Sequence, residues 1–184
     1  EATDKLGYEL YLIDIKELFD RPNIYGYEDD IERFLSFQIA TLDWILAKNA
    51  IPDVINCHDH HSGLIPFMLK YSYKYEILST IRTVITIHNG LYQGWFDYDK
   101  MNYLPEFDVR HAGFLEWDNT LNSLAVAVKC AHAVTTVSPS YLDEINISAN
   151  GLESLFNKVR SKSTGILNGI DIEVWNPSTD KMLQ

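Results

Sequence analysis

The sequence predicts an α/β domain, a Rossmann-like and mainly parallel sheet with helices on both faces. Three observations predict it. Short runs rich in β-branched residues alternate with segments of helical periodicity. The runs are nearly all apolar, as in strands covered on both sides. Polar clusters stand where the runs end, and open parallel sheets bind ligands beyond the carboxyl ends of their strands. With 184 residues, 46% of them hydrophobic and 12% aromatic, the chain suits one globular domain with a sizeable core.

Taken in order, "YELYLIDI" (8–15) reads as a strand, and Pro22 and Gly26 punctuate the loop after it. From Asp29 to Lys48 the apolar positions Ile31, Phe34, Leu35, Ile39, Leu42, Ile45 and Leu46 follow helical spacing. Asp29, Asp30 and Glu32 suit the positive end of that helix, and Asn49 and Pro52 end it. "DVINC" (53–57) is a short apolar strand, and "SGLIPFMLKYSY" (62–73) a helix bent at Pro66. "RTVITI" (82–87) is the next strand. Residues 88–109 form a long polar and aromatic loop, of the kind that usually carries function. Trp117, Leu121, Leu124, Ala125, Val128 and Ala131 fall on one helical face. "HAVTTV" (132–137) is a strand, and "SPSYLDEI" (138–145) opens a helix with Ser138 as N-cap and Pro139 behind it. "GLESLFNKV" (151–159) is a short helix, and "STGILNGID" (163–171) a strand running into a turn at Asn168-Gly169.

Fifteen Lys and Arg against 26 Asp and Glu give a net charge of −11. That balance argues against nucleic acid and anionic membrane as partners, and is compatible with a neutral substrate. No apolar run is long enough to span a bilayer, and residues 1–20 lack a signal-peptide pattern. Cys57 and Cys130 read as buried free thiols of a reducing compartment, so a cytoplasmic location is expected. The opening "EATDKLGYEL" reads as an internal piece of a longer protein.

Three strand ends carry polar clusters: His58-Asp59-His60-His61, His88-Asn89 and Ser138-Pro139. All three are expected on one crevice edge. "DHH" (59–61) resembles the signature of the DHH phosphoesterases, which hold divalent metals. That family needs a second Asp two residues beyond an upstream one, and Lys16 stands there after Asp14. Adjacent strand residues face opposite ways, so His60 and His61 are poorly placed to share an ion. A plainer reading is a solvated turn in which Asp59 caps a helix starting near His61. "TIHNGLYQGWF" (86–96) is the better clue. Sugars stack apolar faces on Trp or Tyr, and their hydroxyls pair with His, Asn and Asp. The plainer alternatives are loop packing for Tyr92, Trp95 and Phe96, and a satisfied strand-end histidine for His88.

"FDRPNIYGYEDDIERF", "DVINCHDHHSGLIP", "TIHNGLYQG", "AVTTVSPSYLDEI" and "GILNGIDIEVWNPSTD" together resemble, in order, bacterial glycogen synthase and plant starch synthase. These are retaining ADP-glucose glucosyltransferases of the GT-B fold. The resemblance implies that residues 1–184 are most of the N-terminal, acceptor-side lobe. It further implies that a Lys-x-Gly-Gly loop before Glu1 and the nucleotide-sugar lobe after Gln184 complete the enzyme. His88 would be catalytic, its ring at the 6-hydroxyl of the donor glucose and its carbonyl facing the anomeric carbon. Asp59, His61, Asn89, Tyr92 and Gln93 would bind substrate, and Asn168 would shape the hinge-side turn. His60 stands where the family has Trp, so no sugar-stacking role carries over to it. No metal and no cofactor is implied; ADP-glucose is the donor, and an α-1,4-glucan such as glycogen or a maltooligosaccharide the acceptor. The 184 residues alone are expected to be inactive, and the sheet to have an exposed edge. A non-catalytic glucan-binding lobe, a DHH phosphoesterase and a transferase with another donor, such as sucrose synthase, are the alternatives.

Overall fold

Residues 7–49 and 51–183 are described by a computed structural model. Helix α1 (Asp30–Lys48) forms where the periodicity predicts it. Leu35, Leu42 and Ile45 are buried on its inner face, and Asn49 closes it in the left-handed region, donating to Leu46 O at 3.2 Å. Then follow β1 (Val54–His58), α2 (Ile65–Tyr71), β2 (Arg82–Ile87), β3 (Trp95–Phe96), β4 (Glu116–Trp117) and β5 (Thr120–Asn122). The chain continues through α3 (Ser123–Cys130), β6 (Ala133–Thr136), α4 (Pro139–Ile145), α5 (Glu153–Lys158) and β7 (Ser163–Gly165).

The main sheet has the order β1-β2-β6-β7 and is parallel throughout, with Cys57 opposite Ile85 and Ile85 opposite Val134. The order advances in one direction, and right-handed crossovers then put every connecting helix on the same face. Cys57, Ile85, Ile87 and Val134 are buried toward that face with Phe67 and Met68 of α2 and Leu124 and Val128 of α3. On the other face Val54, Asn56, Val84, Thr86 and Thr135 line an open groove of about 610 Å³. Thr86 Oγ1 bonds there to Asn56 Oδ1 at 3.0 Å and Thr135 Oγ1 at 2.8 Å. The expected parallel sheet is thus present, and among the described residues its helical cover lies on one side. Alternating Val, Ile and Thr reads as an apolar run even where its threonines line the open face.

Other elements differ from expectation. Residues 8–15 form no strand. The segment is irregular and largely exposed, with Tyr11 against Trp44 at 4.3 Å between ring centroids. A β-rich composition makes a strand only where a neighbour takes its backbone groups. Pro66 does not bend a helix: it sits in the first turn of α2, where its missing N–H costs no hydrogen bond. Trp117 and Leu121 are not helical. They belong to β4 and β5, joined through Asp118 and Asn119 at φ +52° and +61°. Two successive left-handed residues make the tight hairpin turn, and Asp and Asn tolerate that conformation. Helix α3 therefore starts only at Ser123. Ser138 does cap α4, accepting from Tyr141 N at 2.9 Å.

Cys57 and Cys130 are free and buried, and burial raises their thiols to about 12 and about 11. Neither should be alkylated by iodoacetamide at pH 8 in the folded protein, and both should be after denaturation. Mass spectrometry of the tryptic peptides checks this. Labelling of native Cys57 would mean that β1 is not packed as described.

Candidate functional site

The carboxyl ends of β1 and β2 lie side by side, and Asp59 joins them. Its N–H donates to Thr86 O at 3.0 Å. Its Oδ1 accepts the backbone N–H of His88 at 2.8 Å and of Asn89 at 3.4 Å. To do so it holds φ +51° and ψ −168°, a region that costs any residue but glycine of order 1–3 kcal/mol. Asp59 makes no helix cap. Its carboxylate turns to the next strand, because two backbone donors converge there.

Beyond the clamp the chain turns through residues 88–94. Asn89 Oδ1 accepts from Leu91 N at 3.0 Å, and Gly90 N donates to Tyr141 OH at 2.8 Å, tying the loop to α4. Gln93 is fully buried under it. Its Nε2 donates to Gly90 O, Ala149 O and Asn150 O at 2.8–3.2 Å, and its Oε1 accepts from Asn122 Nδ2 at 2.8 Å. The loop carbonyls of Gln93 and Gly94 accept the first N–H groups of α3. Gly94, at φ +64°, lies so close to His60 that a Cβ would stand 2.7 Å from its Nδ1.

His60 and His61 occupy a single 3₁₀ turn after β1. Their rings stack at 3.8 Å between centroids, and the edge of Phe34 lies against both. The expectation that they face opposite ways fails, because the strand ends at His58 and the turn swings both rings to one side. Burial lowers both, His60 to about 4. His60 is therefore a neutral packing group beneath Gly94. Among the described residues no group of three or more His, Cys, Asp or Glu is arranged to hold a metal ion.

Tyr25 reaches this edge through the segment before α1. Asp30 Oδ2 accepts from Gly26 N at 2.6 Å, and Arg21 pairs with both oxygens of Asp29 at 2.6 and 2.7 Å. Buried Arg33 bonds Asp30 and Leu18 O and lies over the ring of Tyr27 at 4.8 Å. A cavity of about 280 Å³ results, walled by Tyr25, Asp30, Asp59, His61, Asn89 and Tyr92 among others. Asn89 also lines a second cavity, of about 520 Å³, which His88 enters and which reaches Tyr141 and Glu144.

A family model described as the starch synthase catalytic domain matches residues 1–158. The chain belongs to the starch synthase catalytic domain family. It is 76% identical to a glycogen synthase of Flavobacterium johnsoniae over 183 residues, covering 100% of this chain and 39% of that protein. A glycogen synthase of Streptococcus uberis is 43% identical over 175 residues, covering 92% of this chain and 37% of its own length. The solved catalytic domain of starch synthase IV from Arabidopsis thaliana, bound to ADP and acarbose, superposes with a TM-score of 0.76. It is 32% identical, over 89% of this chain and 35% of that one. The chain thus spans about 39% of the length of the Flavobacterium relative.

In this starch synthase domain the structure brings Asp59, His61, His88, Asn89 and Tyr92 to one edge. It does not bring Gln93 into either cavity wall. Sequence reasoning passed over Tyr25 and Asp30 as site residues. The signal was present in the charges of "FDRPNIYGYEDDIERF", whose Arg21–Asp29 and Arg33–Asp30 pairs hold the segment over the strand ends. Among the described residues no helix is long and apolar enough to cross a membrane.

Asp59→Ala leaves two backbone donors without their acceptor and keeps the strained φ, so a loss of about 2 kcal/mol is expected in urea unfolding. Asp59→Gly loses the same acceptor but relieves the strain, and should be about 1 kcal/mol more stable than the Ala variant. The reverse order would mean that the backbone at 59 is unstrained. For His60 the folded protein binds fewer protons than the unfolded chain, whose histidine titrates near 6.5. Its contribution to stability is present above about pH 6.5 and is lost as the pH falls toward 4. The His60 imidazole should titrate near 4 by NMR, and a midpoint above 6 would put the ring in water.

Proposed function

We propose that this chain is the acceptor-side lobe of a glycogen synthase, residues 1–184 forming most of its N-terminal catalytic domain. The reaction is transfer of glucose from ADP-glucose to the 4-hydroxyl at the non-reducing end of an α-1,4-glucan, with the α configuration kept. The observation that carries the reading is the Asp59 clamp on the backbone of His88 and Asn89 at the mouth of two cavities. Identity of 76% to a glycogen synthase adds to it, as does likeness to a starch synthase solved with ADP and acarbose.

His88 is the catalytic residue of the proposal. With the N–H groups of His88 and Asn89 both held from behind by Asp59, the peptide that carries the His88 carbonyl is fixed in direction. The ring of His88 binds the 6-hydroxyl of the donor glucose, and its carbonyl faces the anomeric carbon and stabilises the positive charge that develops on the sugar ring as the diphosphate leaves. A dipole fixed beforehand needs no reorganisation during the reaction. Asp59, His61, Asn89 and Tyr92 form the sugar-facing wall, while Gln93 supports the loop from beneath. The donor is ADP-glucose, held jointly with a second lobe, and the reaction calls for no further cofactor. Two free thiols and the acidic surface fit a cytoplasmic enzyme acting on a neutral polymer.

The test uses the full-length protein with ADP-glucose and maltoheptaose. Release of ADP and lengthening of the glucan are expected, and His88→Ala should lower the rate at least about 100-fold without unfolding the protein. The 184 residues alone should transfer no glucose. Absence of glucan lengthening by the full-length protein with either ADP-glucose or UDP-glucose would overturn the reading.

A further inference from the structure

His58 stands outside the site as described so far, yet its ring touches the group at the site's centre. Its Nδ1 lies 2.9 Å from Nε2 of His88, and the rings stack at 28° with centroids 5.2 Å apart. Both backbones behind these rings are pinned. Ser62 Oγ accepts from His58 N at 2.6 Å and donates to His58 O at 2.8 Å. Asp59 holds the N–H of His88. The two rings therefore meet as side chains on fixed posts at the ends of paired strands, one on β1 and one just past β2.

One proton lies in a contact of this kind, on one nitrogen or the other. If His58 donates from Nδ1, then Nε2 of His88 is an acceptor and its Nδ1 carries the hydrogen. If His88 donates from Nε2, its Nδ1 is bare. Among the described residues Nδ1 of His88 has no hydrogen-bond partner, and neither has Nε2 of His58. The pair thus links two otherwise unpartnered nitrogens through one shared proton. The state of one ring fixes what the other presents. Partial burial and the neighbouring His88 also lower the affinity of His58 for a second proton, which keeps the contact intact near neutral pH.

We propose that His58 is a positioning residue that fixes the ring orientation and tautomer of His88, leaving Nδ1 of His88 as the nitrogen offered to the substrate. The proposal rests on the reading of His88 as the residue at the donor glucose. It adds a residue whose effect is exerted only through another ring. His58 is an exposed residue whose ring is only partly covered, and its backbone bonds do not depend on its side chain, so replacing it should leave the fold intact.

The experiment uses the full-length protein labelled with 15N-histidine. In the wild type, the nitrogens of His88 should report a single tautomer with one hydrogen-bonded, slowly exchanging ring N–H in the pair. In His58→Leu that signal should vanish and His88 should become a mixture of tautomers, with kcat lowered about tenfold and KM for ADP-glucose within twofold. His58→Asn carries a polar atom near the position of Nδ1 and should recover kcat to within threefold of wild type. Unchanged His88 signals in His58→Leu would overturn the proposal, and so would equal losses of kcat in the Leu and Asn variants. A wild-type protein without transferase activity would overturn the proposed function alone. In that case a change of the His88 signals on His58→Leu would still uphold the pairing.

Discussion

The carboxylate of Asp59 is the interaction on which this site depends. Parallel strands align their carboxyl ends but leave the backbone donors just beyond them without partners. Asp59 meets that need from the neighbouring strand, accepting from His88 and Asn89 while its own N–H donates to Thr86 O. The arrangement requires a backbone conformation that favours glycine. A glycine would relieve the strain and remove the acceptor, so the position carries a cost in stability in exchange for a fixed loop. Strain at a cleft edge, offset by hydrogen bonds on both sides, is what a preorganised site looks like in energetic terms.

Two layers support that edge. Beneath the loop, Gln93 and Asn122 form a buried amide pair, and Asn122 also caps α3 by accepting from Ala125 N. All of these groups are satisfied, so burying them specifies the loop conformation without leaving an orphaned polar atom. Beside it, Arg33 sits nearly inaccessible among Asp30, Leu18 O and the ring of Tyr27. A buried guanidinium is tolerable only with such partners. Its effect is to hold the segment carrying Tyr25 against the strand ends. The stacked rings of His60 and His61 fill the space between these layers, and they do so uncharged because burial disfavours the protonated form.

Much of the fold was legible in the sequence, for identifiable reasons. Helix α1 has an apolar face every three to four residues and a left-handed Asn to end it, both local properties. Ser138-Pro139 is a complete local signal, and α4 begins there. Where the reading failed, a non-local partner decided the outcome. Trp117 and Leu121 keep helical spacing by coincidence, and the turn at Asp118-Asn119 takes them into a hairpin whose second strand pairs with β3. Residues 8–15 have strand composition, but no described strand takes up their backbone groups. The family motifs, by resemblance, pointed to Asp59, His61, His88, Asn89, Tyr92 and Gln93. They did not show that Gln93 is turned inward, that Asp59 binds amides instead of capping a helix, or that His58 meets His88.

The sequence by itself determined the α/β class, the four strands of the main sheet, the two buried thiols and the presence of polar clusters at the strand ends. Each follows from periodicity, composition or capping chemistry within a few residues of chain. Only the tertiary structure decided the work done by each polar group. Hydrogen bonds between strand ends join residues about thirty apart in sequence, His58 to His88 and Asp59 to His88 and Asn89. Their geometry is set by the register of β1 against β2, and that register comes from packing the whole helical face of the sheet.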